Sequence, residues 1–564
     1  MNNSLSSVFF TVLVVGGLIL VGTSQFSTVK ASANVIGILR SDTTWTKANS
    51  PYTLTGPVAV NAGVILTIEA GVTVNLGGYY IQVNGTLRTV GTSTDKVQFG
   101  DGQITFTSVS QGWNEQTGSG SIIENAVLSQ TSISSTNSLK ITGSTIAGEV
   151  IVGTSSIISN NVITGRNFSP ETPPYALTIG GSSVISGNTI HGAESHGQAM
   201  VDVYDYYYAI KVNGHSAVIS NNIITGDVTG DSMTISHNTL TGGINADSST
   251  ISSNTITGEV YGTSLVISNN TIAGGKPTYS WMRASDPSSA IRIGGDQSLI
   301  SNNTITSPAG GFGITITNEW YGITFTKGNV YVLNNIISNS ITGIRAAGDA
   351  IIQGNSISDS TGCNNAYVHD IGYGIEIGHI TFHGFNSFEI GVGNVVIRHN
   401  KIRNNPVGIG GLEEGTATIE NNIIVNNTKG IETGSQVTIR NNTITDSSIG
   451  IALNKSPLAT INQNNIQNYS QYSVKLENIP NDVDATNNWW GTTDKQAIAQ
   501  KIYDNKNDFN LGNVIFEPFL TEPNTAAAPA SSPQIPEFPS LIALSLLILV
   551  TFTIAVALKR KKDR

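Results

Sequence analysis

The sequence predicts an all-β solenoid, a chain wound into short strands and stacked in about 15 rungs. Three observations carry that reading. A unit of the form ISNNxIxG recurs through the middle of the chain. Its copies are spaced by 16 to 24 residues wherever no insertion intervenes, as at Asn222, Asn238, Asn254 and Asn270. The composition is polar but scarcely charged: of 564 residues, 57 are Asn, 60 are Gly, and only 12% are Asp, Glu, Lys or Arg. Such a chain, supplied with Ile and Val, suits short strands and tight turns.

The same figures exclude other classes. Helical bundles need more charge, and disorder needs fewer aliphatic residues. With 28 Lys+Arg against 38 Asp+Glu, a net charge of −10, no basic surplus exists for a nucleic-acid face. The single cysteine, Cys363, rules out an intrachain disulfide and a Cys-based zinc site. It does not argue against an oxidising compartment, because a long chain with its own core needs no disulfide staple.

Residues 8–21 are apolar apart from Thr11 and lead to Ala31-Ser32-Ala33, an A-x-A pattern. Residues 1–33 therefore read as a secretory signal peptide, although residues 1–7 lack the usual basic charge. Residues 34–110 precede the clear repeat and read as an opening segment of early rungs, carrying TLTIEAGVTV-like strands. Residues 111–490 hold the repeat, and 491–520 close the stack. Within that closing segment, residues 495–503 have helical patterning with Thr493 or Asp494 as N-cap. A Pro/Ala/Ser spacer follows at 521–540. Residues 541–558 form an uncharged stretch long enough to span a bilayer, and the basic tail 559–564 belongs on the cytoplasmic side. The expected location is the outer face of the cell membrane, with the C-terminus inside.

Within the repeat, the second Asn of each pair marks the register. These are Asn161, Asn188, Asn222, Asn238, Asn254, Asn270, Asn303, Asn335, Asn355, Asn400, Asn422, Asn442, Asn464 and Asn488. An aliphatic residue stands three before each and another two after (Trp490 takes that place after Asn488), which puts both on the inward side of short strands. One rung cannot bury its own apolar face, so stacking is obligatory. An Asn at the same bend of every rung tolerates left-handed geometry, and its amide can bond to the next rung. A ladder of buried amides is expected. A second motif, (Ala/Gly)-Ile-x-(Ile/Val/Leu), recurs at Ala209, Ala290, Gly374 and Gly450.

These repeats resemble the right-handed parallel β-helix, the architecture of pectate lyases and of the NosD-like carbohydrate-binding and sugar-hydrolase group. The resemblance covers roughly residues 50–520. The segment Pro536, Glu537, Phe538, Pro539, followed by the apolar span and basic tail, resembles the PEF-type sorting signals of archaeal surface proteins. It implies recognition by a membrane-embedded sorting enzyme.

Function on such a scaffold belongs to outward strand positions and to insertions. Insertions break the spacing at 191–208, 275–289, 308–330 and 361–394. They carry Tyr206, Tyr207, Tyr208, Trp281, Trp320, Tyr321 and Tyr373, aromatic rings suited to stacking on sugars; the plainer reading is that they pack on the stack. A lyase needs clustered carboxylates for calcium and a basic residue beside the sugar. Candidates are Asp202 and Asp205 with Lys211, and Asp286 with Arg292 and Asp296. A hydrolase needs paired carboxylates, for which Asp370, Glu376 and Glu389 are the nearest group. Lys211, Arg292 and Glu376 are otherwise plain outward residues of strands. His379 and His383 have metal-ligand spacing, but in strand context. No metal or cofactor is expected, unless a lyase-like activity brings Ca2+. The expected function is a carbohydrate-binding or adhesive surface protein, with a polysaccharide lyase or glycoside hydrolase as the alternative. Asn-x-Ser/Thr acceptors fall on the first Asn of three repeat pairs, Asn269, Asn302 and Asn441. If the second Asn is buried, the first points outward and can carry a glycan.

Overall fold

The computed structural model describes residues 32–166, 175–198, 203–274, 289–294, 297–307, 311–317, 319–320, 323–324, 329–364, 369–383, 387–391, 393–411, 415–434, 436–455 and 459–527. The chain divides into two compact units, Met1–Val162 and Ile163–Arg564. Both are built from stacked short strands paired in parallel; the second unit adds antiparallel pairs, such as Ala193–Gln198 with Val203–Asn213 and Cys363–Asn364 with His369–Asp370. The chain is a parallel β-helix protein.

In the first unit each rung places three short strands around the coil. Ile122–Glu124, Ala126–Ser129 and Thr131–Ser135 form one rung. Lys140–Thr142, Thr145–Ala147 and Val150–Val152 form the next and pair with them in register. The opening segment is built the same way. Ile65–Glu69 runs parallel to Thr86–Val90, with Leu66 and Ile68 fully buried.

The second unit repeats the plan at intervals of 16 residues where no insertion intervenes. Val218–Ser220, Ile223–Thr225 and Asp227–Thr229 make one rung. Thr234–Ser236, Thr239–Thr241 and Ile244–Asn245 make the next. Ile219, Ile235, Ile251, Ile267 and Ile300 stack in register, each wholly buried. A second column runs through Ile224, Leu240, Ile256, Ile272 and Ile305. Period-2 alternation on strands of three residues places one aliphatic side chain per strand inside and its two neighbours outside.

The Asn ladder forms. In the second unit it runs through thirteen asparagines from Asn188 to Asn488, none more than 2% exposed. From Asn222 to Asn488 each amide oxygen accepts both the backbone N–H and the Nδ2 of the preceding asparagine. For Asn254 these bonds come from Asn238 at 2.9 and 3.0 Å. Its own Nδ2 lies 2.9 Å from the Ile235 carbonyl and 3.0 Å from Asn270 Oδ1. In the first unit Asn161 accepts the Ser144 N–H and donates to the Ile141 carbonyl, both at 2.9 Å. One expectation is corrected. The left-handed backbone belongs to the residue before the ladder Asn, at Asn221, Asn269 and Asn302 (φ 57° in each). That position turns the chain and stays outside; the ladder Asn follows it in the bend and points in.

Near the C-terminal end of the described chain a helix spans Lys495–Gln500. The Asp494 carboxylate caps it, accepting the N–H groups of Gln496 and Ala497 at 2.8 and 3.3 Å. Trp490 is buried, edge-on to Phe516 at 6.5 Å, so it packs rather than offering a platform. Asp504 is also buried, and its carboxylate accepts the N–H groups of Lys506 and Val514, which makes its segment a turn. Among the described residues no helix is long and apolar enough to cross a membrane. The stretches 8–21 and 541–558, and Pro536, Glu537, Phe538 and Pro539, lie outside the described residues.

Replacing Asn254 with Ala removes the one oxygen that accepts both the N–H and the Nδ2 of Asn238 and leaves the Ile235 carbonyl without its side-chain amide donor. Each buried group left unpaired costs roughly 1–3 kcal/mol. Asn254→Ala is expected to destabilise the second unit by about 3 kcal/mol or more in denaturant titration, whereas Ser253→Ala on the adjacent outward position stays within about 1 kcal/mol.

Candidate functional site: an outward column on the second unit

In the second unit the outward position of one strand per rung lines up as a column. Thr178, Lys211, Thr229, Asn245, Tyr261, Arg292, Thr315, Arg345 and Glu376 succeed one another in register. Strand pairing spaces them by about 4.8 Å. Their inward neighbours, such as Ile210 and Val212 or Ile291 and Ile293, are core residues no more than 6% exposed. The motif (Ala/Gly)-Ile-x-(Ile/Val/Leu) writes this column, and x is the outward residue.

The head of the column is an open patch. Lys211 is exposed and its ammonium lies 5.7 Å from the centre of the Tyr175 ring. Tyr175 meets Tyr208 edge to face at 5.3 Å, and Tyr175 Oη lies 3.3 Å from Thr229 Oγ1. Two aromatic rings, a cation and two hydroxyl-bearing side chains thus share one surface. Further along, Arg292 Nε donates to Glu259 Oε1 at 2.9 Å. The Tyr261 phenol is pushed up to about 12, first by burial and then by Asp247 and Glu259, with Arg292 opposing.

The far part of the column is closed. Arg345 and Glu376 point away from the core, yet each is only 7% exposed. The hairpin of Cys363–Asn364 with His369–Asp370 brings Asp370 against them. Arg345 Nη2 donates to Asp370 Oδ2 at 2.6 Å and Nε to Glu376 Oε2 at 2.5 Å. The guanidinium lies 3.8 Å from the centre of the Phe312 ring. Asp370 Oδ1 accepts from Thr342 Oγ1 at 3.0 Å and from the Gly372 N–H at 2.8 Å. Burial raises the Asp370 carboxyl above its ordinary value, Glu376 adds to the rise, and Arg345 opposes it. Gly410 follows Glu376 in the column. A Cβ there would sit 2.5 Å from the Tyr373 ring, so the glycine makes the notch that ring occupies. Glu432 comes next in register; Lys429 bonds one of its oxygens, and the other is buried without a partner.

Of the residues expected from sequence, Lys211, Arg292 and Glu376 share this column, Tyr208 and Tyr373 lie against it, and Asp370 reaches it from the hairpin. Glu376 is an outward residue of its strand as expected, but it is buried and bonded to Arg345 beside Asp370. Asp202, Asp286, Asp296, Trp281 and Tyr321 lie outside the described residues, as do the side chains of Asp205, Tyr206, Tyr207, Trp320, His379, His383 and Glu389. Arg345, Phe312, Gly410 and Glu432 were missed. A partial signal for Arg345 and Glu432 was present, since Gly343-Ile344-Arg345 and Gly430-Ile431-Glu432 match the first three positions of the second motif, with Ala346 and Thr433 in place of its aliphatic fourth. Phe312 and Asp370 meet Arg345 only through folding. Among the described residues no three His, Cys, Asp or Glu side chains form a metal-binding group, so no calcium step is derived.

Residues 364–489 match a family described as a right-handed β-helix region. No curated protein matches the chain. It is similar to several solved structures. The Dettilon tailspike protein is 13% identical with a TM-score of 0.25, the match covering 76% of this chain and 62% of that one. A PL6-family alginate lyase is 12% identical with a TM-score of 0.30, covering 83% and 88%. A periplasmic alginate epimerase is 10% identical with a TM-score of 0.20, covering 77% and 76%. At such TM-scores these likenesses carry no part of the functional argument.

Arg345→Met should leave two buried carboxylates facing each other without their cation, at a cost of about 3–5 kcal/mol in denaturant titration. A pH effect follows from Asp370. Its folded form holds the proton to higher pH than the unfolded chain does. The stabilisation is complete below the ordinary carboxylate pKa and is lost as pH rises through the raised one. Thermal melts across that window should fall with rising pH in the native chain and flatten in Asp370→Asn.

Proposed function

We propose that the chain binds an extended polysaccharide along the outward column of the second unit. The observation that carries this is the register of Lys211, Thr229, Asn245, Tyr261 and Arg292 on one face, with the Tyr175 and Tyr208 rings beside Lys211 at its head. Sugar polymers present apolar ring faces and hydroxyls at a regular repeat along the chain. A row of aromatic, amide, hydroxyl and cationic groups at a fixed spacing matches that chemistry. The insertions that interrupt the repeat carry further aromatic residues.

The signal-like segment 1–33 and the span 541–558 with its basic tail support export and anchoring on the outer face of the membrane. Of the expected spacer 521–540, residues 524–527 lie against the β-helix, so 528–540 separate it from the bilayer, and Pro536, Glu537, Phe538 and Pro539 are the contact for a sorting enzyme. This archaeal-type signal and the NosD-like assignment rest on sequence resemblance.

The convergence of Asp370 and Glu376 favours a second reading, a polysaccharide lyase or glycoside hydrolase. Against it, both carboxylates are bonded to one buried guanidinium, whereas an acid or base in a glycosidase must reach the sugar oxygen.

Lys211→Ala and Arg292→Ala are each expected to weaken retention on immobilised acidic and neutral polysaccharides about tenfold, equivalent to about 1.4 kcal/mol. Product release from the same polysaccharides should stay at background. Turnover abolished by Glu376→Gln would replace the binding reading with the enzymatic one, and unchanged retention in both column variants would remove the column from the site.

A further inference from the structure

Three rungs of the second unit carry the same four residues, Asn-Asn-Thr-Ile, beginning at Asn269, Asn302 and Asn441. Each is an Asn-x-Thr acceptor. In each the middle Asn is the ladder residue, no more than 2% exposed. The first Asn has left-handed backbone, with φ of 57°, 57° and 54°. That geometry turns its side chain out of the bend.

The three copies differ in what lies over them. Asn269 and Asn302 are exposed, as are the acceptor threonines Thr271 and Thr304. Neither first-Asn amide has a hydrogen-bond partner among the described residues. Asn441 is covered. Asn524 Nδ2 donates to Asn441 Oδ1 at 3.1 Å, and Thr443 Oγ1 donates to the Ala527 carbonyl at 3.1 Å. Asn524 is tied down in turn, its N–H donating to Asn465 Oδ1 at 2.7 Å and its carbonyl accepting Asn465 Nδ2 at 3.0 Å. The segment around residues 524–527 is a strap across this rung, and Ala527 at its end is fully buried.

We infer that the neighbouring sites Asn269 and Asn302 take an N-linked glycan, on one or the other, and that the strap denies Asn441 the same modification. The donor is an oligosaccharide activated as a lipid phosphate ester. The acceptor Nδ2 attacks the sugar C1, the C–N bond forms and the bond from C1 to the phosphate oxygen breaks. The amide gives up one proton, and the lipid phosphate leaves with the bonding pair. Both open sites face outward on neighbouring rungs about 4.8 Å apart. A glycan on one shades the other, so occupancy of either fulfils the inference. A glycan on Asn441 would occupy the space of Asn524 and displace the strap.

The inference rests on the export proposed above, and the experiment separates the two. The full chain is purified from the cells that make it, after testing its protease accessibility on intact cells, and its peptides are weighed by mass spectrometry. A sugar mass is expected on the Asn269 or Asn302 peptide and none on that of Asn441. The double variant Thr271→Val, Thr304→Val keeps the β-branched shape at exposed positions and should lose that mass. An accessible chain bare at both sites overturns the inference while leaving export standing. A protected, bare chain overturns both. A mass that survives the valine variant, or one on Asn441, also overturns it.

Discussion

Everything in the second unit depends on one bend being repeated without drift. Parallel strands three residues long are too short to hold register by themselves, because their few ladder bonds can be exchanged for those of a shifted partner. The buried asparagine removes that freedom. Its amide bonds backbone and side chain of the preceding asparagine together, so a slip of one residue would strand several buried polar groups. Register then fixes the aliphatic columns, and the columns fix which side chains face out. The outward column is thus a by-product of the ladder on the opposite logic: the same repeat that buries Ile291 and Ile293 presents Arg292.

Fixing the scaffold so tightly frees the outward positions to vary. They change from Lys to Thr, Asn, Tyr, Arg and Glu along the column without disturbing the core. Where an insertion folds back, outward no longer means wet. Arg345 and Glu376 occupy the same column as the exposed Lys211, yet the Asp370 hairpin turns them into a buried network. Burial makes that network costly to leave unpaired, which explains why its hydrogen bonds are so fully shared among Thr342, Asp370, Arg345 and Glu376.

A second, shorter ladder shows the same principle at work. Asn405 donates its N–H to Asn427 Oδ1 at 2.9 Å, and Ser360 donates its own N–H to Asn405 Oδ1 at 3.0 Å. Outside it, Asn426 bonds Asn404, and Asn404 bonds Asp359, at 2.9 and 3.0 Å. The bend at these rungs is therefore braced on both its inner and outer sides.

The sequence alone determined the stacked β architecture, the aliphatic columns and the identity of the ladder asparagines. The reason is physical: a repeat must place equivalent residues in equivalent environments, so periodicity reports the scaffold directly. It also marked Lys211, Arg292 and Glu376 as outward. The second ladder was less legible, because Asn405 and Asn427 recur over only two rungs and are masked by the main Asn pattern. Only the tertiary structure decided which outward residues stay exposed, that Asp370 and Phe312 close on Arg345, that Gly410 yields space to Tyr373, and that a strap covers Asn441. Each of these joins segments whose contact depends on how an insertion or a terminus folds back, and no spacing along the chain encodes that path.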